Sequence, residues 1–250
     1  MPSRFLTHWF AVVAVLLAGC GTVNSLMGGN SEAEAKAALE WSYAPGAISI
    51  ELRSDARLNV YDDAPHTLVL AIVQTVDPNL FKALLADETA VARLLATGQS
   101  NPPMTAVERV IVEPGRSRTI RLDRAQMAQY FGVIAGYYQL DPVSNARLFR
   151  IPVEVKSSGL VVKNRTAAPA PQRVNLVLGA ERVMAAEQIS PPVAVAAEQP
   201  ATKPGVRSGA KPAEKPAAKP AEPESGLISI DAKDVRQAAD GANAARRLTR

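Results

Sequence analysis

The chain has little of what most catalytic chemistry needs. Its 250 residues include one cysteine, Cys20, and two histidines, His8 and His66. With one cysteine no disulfide can close within the chain, and a zinc site of the His/Cys kind lacks its ligands. A Ser–His–Asp triad would have to use His66, which follows Pro65 in a polar turn and reads as a solvated loop residue. Carboxylates are scattered, and the one adjacent aspartate pair, Asp62-Asp63, is explained by turn chemistry. A hydrolase using Asp62, Asp63 or His66 is the catalytic reading that remains, and no motif supports it. Phosphate-binding glycine patterns and an EF-hand loop are missing, and Gly28-Gly29 reads as a flexible stretch. No cofactor or metal is expected. The net charge of +4 is spread thinly, and aromatic residues are 5% of the chain. The basic clusters Arg116 to Arg124 and Arg246-Arg247-Arg250 lack the interleaved aromatics of a single-strand binder, so nucleic acid is not an expected partner. Long apolar runs are missing too. The longest, Trp9 to Ala18, would make a helix of about 15 Å, too short to span a bilayer.

What is present at that run is the pattern of an export signal. Arg4 and the amino terminus supply positive charge, the apolar run follows, and Gly19 is the small residue at the cut. The tetrad Leu17-Ala18-Gly19-Cys20 is similar to the lipobox of bacterial lipoproteins. That resemblance implies cleavage between Gly19 and Cys20, a diacylglyceryl group on the thiol and acylation of the new amino terminus. Several acyl chains hold a protein on a membrane durably where one does not. The next residue is Gly21, where an aspartate would resemble an inner-membrane retention signal. Attachment to outer-membrane lipid through Cys20, facing the periplasm, is the expectation.

Behind the signal (1–19) the chain divides into a lipidated tether (20–45), a β-rich domain (46–184), a Pro/Ala/Lys-rich spacer (185–225) and a short terminal segment (226–250). The tether contains a short helix predicted from Ser31. Extended, its length reaches roughly 80 Å, so the domain need not touch the bilayer. In the domain, Ile48, Ile50 and Leu52 alternate with polar residues as in a half-buried strand, and a polar loop runs from Ser54 to His66. Thr67 to Val76 is nearly continuous in apolar residues, as in a strand buried on both faces. Val110 and Val112, the turn Glu113-Pro114-Gly115, then Ile120 and Leu122 read as a hairpin. Phe131 to Leu140 is a further strand. Phe149, Ile151, Val153 and Val155 make a period-two strand in which Pro152 implies an edge or a bulge, and Val174, Leu176 and Leu178 form a last strand. This spacing predicts a two-sheet β-sandwich.

A helical insertion interrupts the strands. Asp77 caps a helix with Pro78 in its first turn and an apolar stripe of Leu80, Phe81, Leu84 and Leu85. A second turn from Asp87 carries Val91, Leu94 and Leu95 and stops at Gly98. The stripe reads either as a cover for one end of the sandwich or as a ligand groove. The spacer, with its repeated Lys-Pro, has too few apolar side chains to offset its ordering entropy. A basic spacer of this kind also suits peptidoglycan, which leaves a peptidoglycan-binding structural lipoprotein as an alternative function. Ile228, Ile230 and Val235 precede an Ala-rich, Arg-ended stretch, readable as a terminal helix that docks elsewhere.

These features together resemble the TssJ family, outer-membrane lipoproteins of the type VI secretion system. The matching stretches are Leu58-Asn59, Pro65-His66-Thr67-Leu68-Val69-Leu70 with Gln74, then Phe81, Leu84, Leu94 and Leu95. Val112-Glu113-Pro114-Gly115, Phe131 to Tyr138 and Leu148-Phe149-Arg150 complete them, and the whole covers roughly residues 46 to 160. The resemblance implies a transthyretin-like sandwich with an added helical element, and no enzymatic activity. It implies a role as the outer-membrane anchor of a membrane complex that binds the periplasmic domain of TssM, an inner-membrane protein. The loop between the first two strands makes that contact in the family. On this chain the loop supplies Arg57, Leu58, Asn59, Tyr61, Asp62 and Asp63. Tyr61 has the character of an interface anchor, with few rotatable bonds. Leu58 and Tyr61 can equally be read as packing the loop onto the sandwich.

Overall fold

The computed structural model describes residues 24–189 and 226–248. Two sheets face each other. The first has the order β10-β9-β1-β4, with β1 Ala44–Ser54, β4 Ser117–Arg124, β9 Gln172–Leu178 and β10 Val183–Ile189. The second has the order β11-β6-β5-β2-β3, with β2 Leu68–Thr75, β3 Ala106–Val112, β5 Tyr130–Ala135, β6 Ala146–Arg150 and β11 Leu227–Ile228. Ile48, Ile50, Leu52, Val174 and Leu176 from the first sheet meet Leu70, Ile72, Phe131, Val133 and Phe149 from the second in one buried core.

The outer face of the second sheet is covered as well. Helix α2 (Pro78–Leu85), capped by Asp77, and α3 (Glu88–Thr97), capped by Asp87 and ended by left-handed Gly98, lay Phe81, Leu84, Leu85, Val91 and Leu94 over Ala71, Val73, Ile134 and Leu148. That is why β2 reads as continuously apolar: one of its faces meets the opposing sheet and the other meets the helices. Phe81 lies directly on Gly132 of β5, where any Cβ would collide with its ring. The insertion therefore covers a face of the sandwich rather than one end.

Several expectations about connectivity change. Val112 and Ile120 flank a turn but do not form a hairpin. β3 pairs with β2 in the second sheet and β4 with β1 in the first, so Glu113-Pro114-Gly115 carries the chain between sheets. The stretch from Phe149 to Lys156 is two strands. At Pro152, which has no N–H to give a ladder, the chain leaves the second sheet. β7 (Val153–Ser158) then pairs with β8 (Asn164–Pro169) in a separate ribbon. The strand from Phe131 ends at Ala135, not Leu140. Leu178 does not end the last strand, because β10 follows it along β9.

The terminal segment docks on the same domain. Leu227 and Ile228 pair with Phe149 and Leu148, Ile230 is buried among the helices, and Lys82 of α2 holds Asp234 at 2.8 Å. This Asp234 lies in the first turn of α5 (Ala232–Leu248), which follows the single-turn α4 (Pro142–Asn145) in helix order. Residues 190–225, with most of the spacer, lie outside the described residues. Among the described residues no helix is long and apolar enough to cross a membrane.

The register also gives the sandwich two distinct ends. β1 and β9 run parallel, with Ile48 opposite Gln172 and Ser54 opposite Leu178. The loop 54–66 leaves from the Ser54 end. The β7–β8 ribbon and the chain arriving from the amino terminus join at the other end.

Candidate partner-binding loop

Loop 54–66 is held by backbone bonds at both of its ends. Asp55 N donates to Leu178 O at 2.8 Å, Gly115 N to Asp55 O at 2.9 Å, and Val60 N to Ala180 O at 3.0 Å. His66 N returns to Leu58 O at 2.9 Å. Its tip is a tight two-residue turn. Tyr61 and Ala64 exchange N–H···O bonds of 3.0 and 3.1 Å across Asp62 and Asp63, whose φ angles are 51° and 57°. Positive φ at both central positions defines the type I′ turn, and aspartate tolerates that region better than most residues.

The six candidate contact residues separate into two groups. Leu58 is fully buried in the core between the sheets, and Asn59 is nearly so. These two pack the loop and present nothing to a partner, which corrects their placement as contact residues. Asn59 sits at φ 52°, and its amide bridges two segments. Nδ2 donates to Thr67 O at 3.0 Å, and Oδ1 accepts from Tyr138 N at 2.8 Å. Arg57, Tyr61, Asp62 and Asp63 are exposed. Tyr61 keeps 47% of its surface accessible and stacks on Tyr138, itself 64% exposed, with ring centroids 3.9 Å apart. The His66 ring lies 6.1 Å from Tyr61.

Tyr138 is the residue that sequence reasoning missed as a contact. It was placed within a strand, whereas it lies past the end of β5 and turns outward. Its neighbour Tyr137 goes inward, its hydroxyl 3.1 and 2.9 Å from the carbonyls of Gly179 and Arg182, and burial pushes its phenol pKa up. The signal for Tyr138 was the pair itself, since adjacent residues at a strand end point to opposite sides. Donation of its O–H to Tyr61 is the main cause that holds the Tyr138 phenol above the usual range. The result is an exposed aromatic platform beside an acidic turn. Such rings bury much area at low entropic cost when a protein covers them.

No group of His, Cys, Asp and Glu among the described residues could hold a metal ion. His66 makes no hydrogen bond to a carboxylate among the described residues. A groove of about 520 Å³ lies nearby, lined by residues that include Leu68, Leu95, Ile111 and Leu140, and it holds no charged side chain.

A model of the family described as "Type VI secretion lipoprotein, VasD, EvfM, TssJ, VC_A0113" matches residues 46–167. These residues carry the domain of the TssJ-type lipoprotein family. No curated protein matches the sequence. Among solved structures, the T6SS lipoprotein TssJ1 from Pseudomonas aeruginosa is 18% identical, over 60% of this chain and 98% of that one, with a TM-score of 0.39. Serratia marcescens Lip, a membrane bound component of the Type VI Secretion System, is 16% identical over 60% and 98%, with a TM-score of 0.41. A structure of the T6SS protein TssM C-terminal domain (869–1107) from EAEC is 18% identical over 55% and 97%, with a TM-score of 0.35.

TssJ-type proteins are structural lipoproteins of the type VI secretion system and not an enzyme family, which agrees with the poverty in catalytic side chains. The expected mainly β sandwich with a helical insertion is what this TssJ-type chain has. Gly19, Cys20 and Gly21, which carry the expected cleavage, lipidation and sorting, lie outside the described residues. So does most of the stretch expected to suit peptidoglycan.

Proposed function

We propose that this TssJ-type chain is cut before Cys20, lipidated there and sorted by Gly21 to the periplasmic face of the outer membrane. From there it anchors the type VI secretion membrane complex by binding the periplasmic domain of a TssM-like inner-membrane protein. The contact surface is the loop tip, with Arg57, Tyr61, Asp62 and Asp63, extended by Tyr138. One observation carries this reading. The exposed Tyr61–Tyr138 platform stands at the end of the sandwich opposite the end where the chain arrives from Cys20. A protein fixed to one membrane and reaching toward a partner in the other needs that polarity.

The test is calorimetry of the mature, unlipidated protein with the TssM periplasmic domain. Tyr61→Ala/Tyr138→Ala should weaken binding by a factor of about 30 or more, the loss expected of aromatic hot-spot residues. Both rings are largely exposed, so the unfolding midpoint should barely move. An unchanged Kd would remove the loop from the interface. Separately, Cys20→Ser should release the protein from membranes and abolish secretion.

A further inference from the structure

The chain leading from Cys20 does not hang free. Asn24 and Asn30 use their side-chain amides as short strand mimics on the edge of β8. Lys163 N donates to Asn24 Oδ1 at 2.7 Å, and Asn24 Nδ2 donates to Lys163 O at 3.0 Å. Two residues on, Arg165 N donates to Asn30 Oδ1 at 2.5 Å, and Asn30 Nδ2 donates to Arg165 O at 2.7 Å. The guanidinium of Arg165 adds a bond to Asn30 O at 2.6 Å. Each amide thus closes a two-bond ring, one with Lys163 just before β8 and one with Arg165 within it, on alternate residues as in a β-ladder. Next comes α1 (Glu32–Ala37), closed by a capping box between Ser31 and Glu34, which packs on β7 and β8. The tether expected to reach roughly 80 Å is therefore fastened to the domain from Asn24 onward, and only three residues lie between Cys20 and Asn24.

This places an unusual tip close to the anchor. The connection between β7 and β8 is Gly159-Leu160-Val161-Val162-Lys163. Leu160 is 100% exposed and Val161 78%. Leu26 and Met27, between the two asparagine rings, are 86% and 54% exposed. The ribbon packs on α1, and among the described residues nothing covers Leu160 or most of Val161. From Lys156 to Arg165 it carries three cations and no carboxylate. Four Cα steps span at most about 14 Å, Leu160 is three steps from Lys163, and the ring between them adds about 5 Å, so the tip stays within roughly 30 Å of the lipidated residue.

We propose that the β7–β8 tip is a membrane seat. Leu160 and Val161, with Leu26 and Met27, enter the headgroup–acyl boundary beside the lipid of Cys20, while Lys163 meets lipid phosphates and Lys156 stays 3.7 Å from Glu154. The occupant is a lipid surface for three reasons: the chain to the anchor is too short to hold the tip far away, the exposed side chains are purely aliphatic, and the flanking charge is positive. The seat adds apolar contact to the lipid anchor and fixes the domain's orientation. The aromatic platform at the far end then faces away from the bilayer.

The inference rests on lipidation at Cys20, and the test separates the two. The lipidated full-length protein carrying Leu160→Cys is labelled with an environment-sensitive fluorophore and placed in vesicles of phosphatidylethanolamine and phosphatidylglycerol. A second protein carries the label at Asp62→Cys. Vesicles with brominated acyl chains should quench the label at 160 about two-fold or more, the depth expected of an interfacial segment, and leave the label at 62 unchanged. If the protein floats with the vesicles but the label at 160 is not quenched, the anchor stands and the seat is wrong. If that label responds only when the TssM periplasmic domain is added, the tip is a protein contact and the seat is wrong. If the protein does not float and Cys20 itself takes the label, lipidation has failed and the seat falls with it.

Discussion

Asn59 is where the loop's geometry can be tested most sharply, because three separable effects meet in one side chain. Its amide satisfies Thr67 O and Tyr138 N, its backbone sits at φ 52°, and it is 9% exposed. Replacing it with alanine removes both hydrogen bonds and leaves a partly buried donor and acceptor unpaired, a loss of about 2–3 kcal/mol for the two. Alanine also tolerates the left-handed region less well than asparagine, which adds about 1 kcal/mol. Asn59→Gly loses the same hydrogen bonds without that steric penalty, so it should be about 1 kcal/mol more stable than Asn59→Ala. Asn59→Asp keeps the acceptor for Tyr138 N but loses the donor to Thr67 O and buries a charge. At neutral pH it should resemble alanine in stability, and it should recover as the carboxyl protonates. Thermal unfolding of the unlipidated mature protein reads these values. At about 2–4 °C per kcal/mol for a chain of this size, Asn59→Ala should lower Tm by roughly 6–16 °C. A shift under about 2 °C for alanine, or glycine below alanine, would refute the reasoning.

Three further predictions concern the scaffold. Gly132→Val forces a side chain into the space of the Phe81 ring and should cost about 1–3 kcal/mol, while Phe81→Ala should cost about 3–5 kcal/mol, both read by denaturant unfolding. The double variant should cost less than the sum, because the second change relieves the first. Asp123 accepts from the Tyr43 hydroxyl and from Gly46 N, which holds its pKa below the usual carboxylate range, while the Tyr43 pKa is raised by the same contact. The lowered carboxyl stabilises the fold above its unfolded pKa near about 4, and this is lost as pH falls through the folded value. The raised phenol stabilises below about 10 and is lost as pH rises past its folded value, so Tyr43→Phe should differ from wild type in the mid-range and converge with it in strong acid and strong base. Finally, Asp234→Asn breaks the half-exposed pair with Lys82 and should cost at most about 1 kcal/mol. Faster amide exchange confined to α5 and β11 is the expected signature, and it should be mimicked by high salt.

What the sequence disclosed depended on whether the determining contacts were local. The alternation of Ile48, Ile50 and Leu52 and the caps Asp77, Asp87 and Gly98 are written in neighbouring residues, and the structure places them as read. The turn at Pro114-Gly115 was equally visible, but a turn signal does not say whether its flanking strands pair or pass to different sheets. Pro152 announced an interruption, yet the period-two pattern continues on both sides of it, and only the hydrogen bonding changes partner. β10 was hidden because its Ala-rich sequence from Ala185 has the composition of the spacer that follows. At the site, Tyr61 and the Asp62-Asp63 turn were legible from residue type. The burial of Leu58 and Asn59 was not, since it depends on Thr67 and Tyr138 closing around them. The clamp of Asn24 and Asn30 joins residues separated by 139 and 135 positions, a distance at which one sequence carries no pattern.

The two ends of the sandwich answer different mechanical demands, and the fold separates them. At the amino-terminal end, strand-like amide rings, a capped helix and the stacking of Arg124 over Trp41 fix the incoming chain to the ribbon and the sheet. A pull on the anchor would therefore load the β7–β8 edge, which continues into β9, and also β1 itself, which the chain enters at Ala44. At the other end, β1 runs directly into the loop of Tyr61, and β9 ends at Leu178, whose carbonyl holds Asp55. Anchor and platform are thus joined by two adjacent parallel strands, with seven residue pairs in register from Ile48–Gln172 to Ser54–Leu178. Force along parallel strands in register loads their hydrogen bonds in shear, all at once, whereas a hairpin opened from its end loses them one at a time. Both long connections lie off that path: the helical insertion between β2 and β3, and the spacer that leaves β10 and returns as β11.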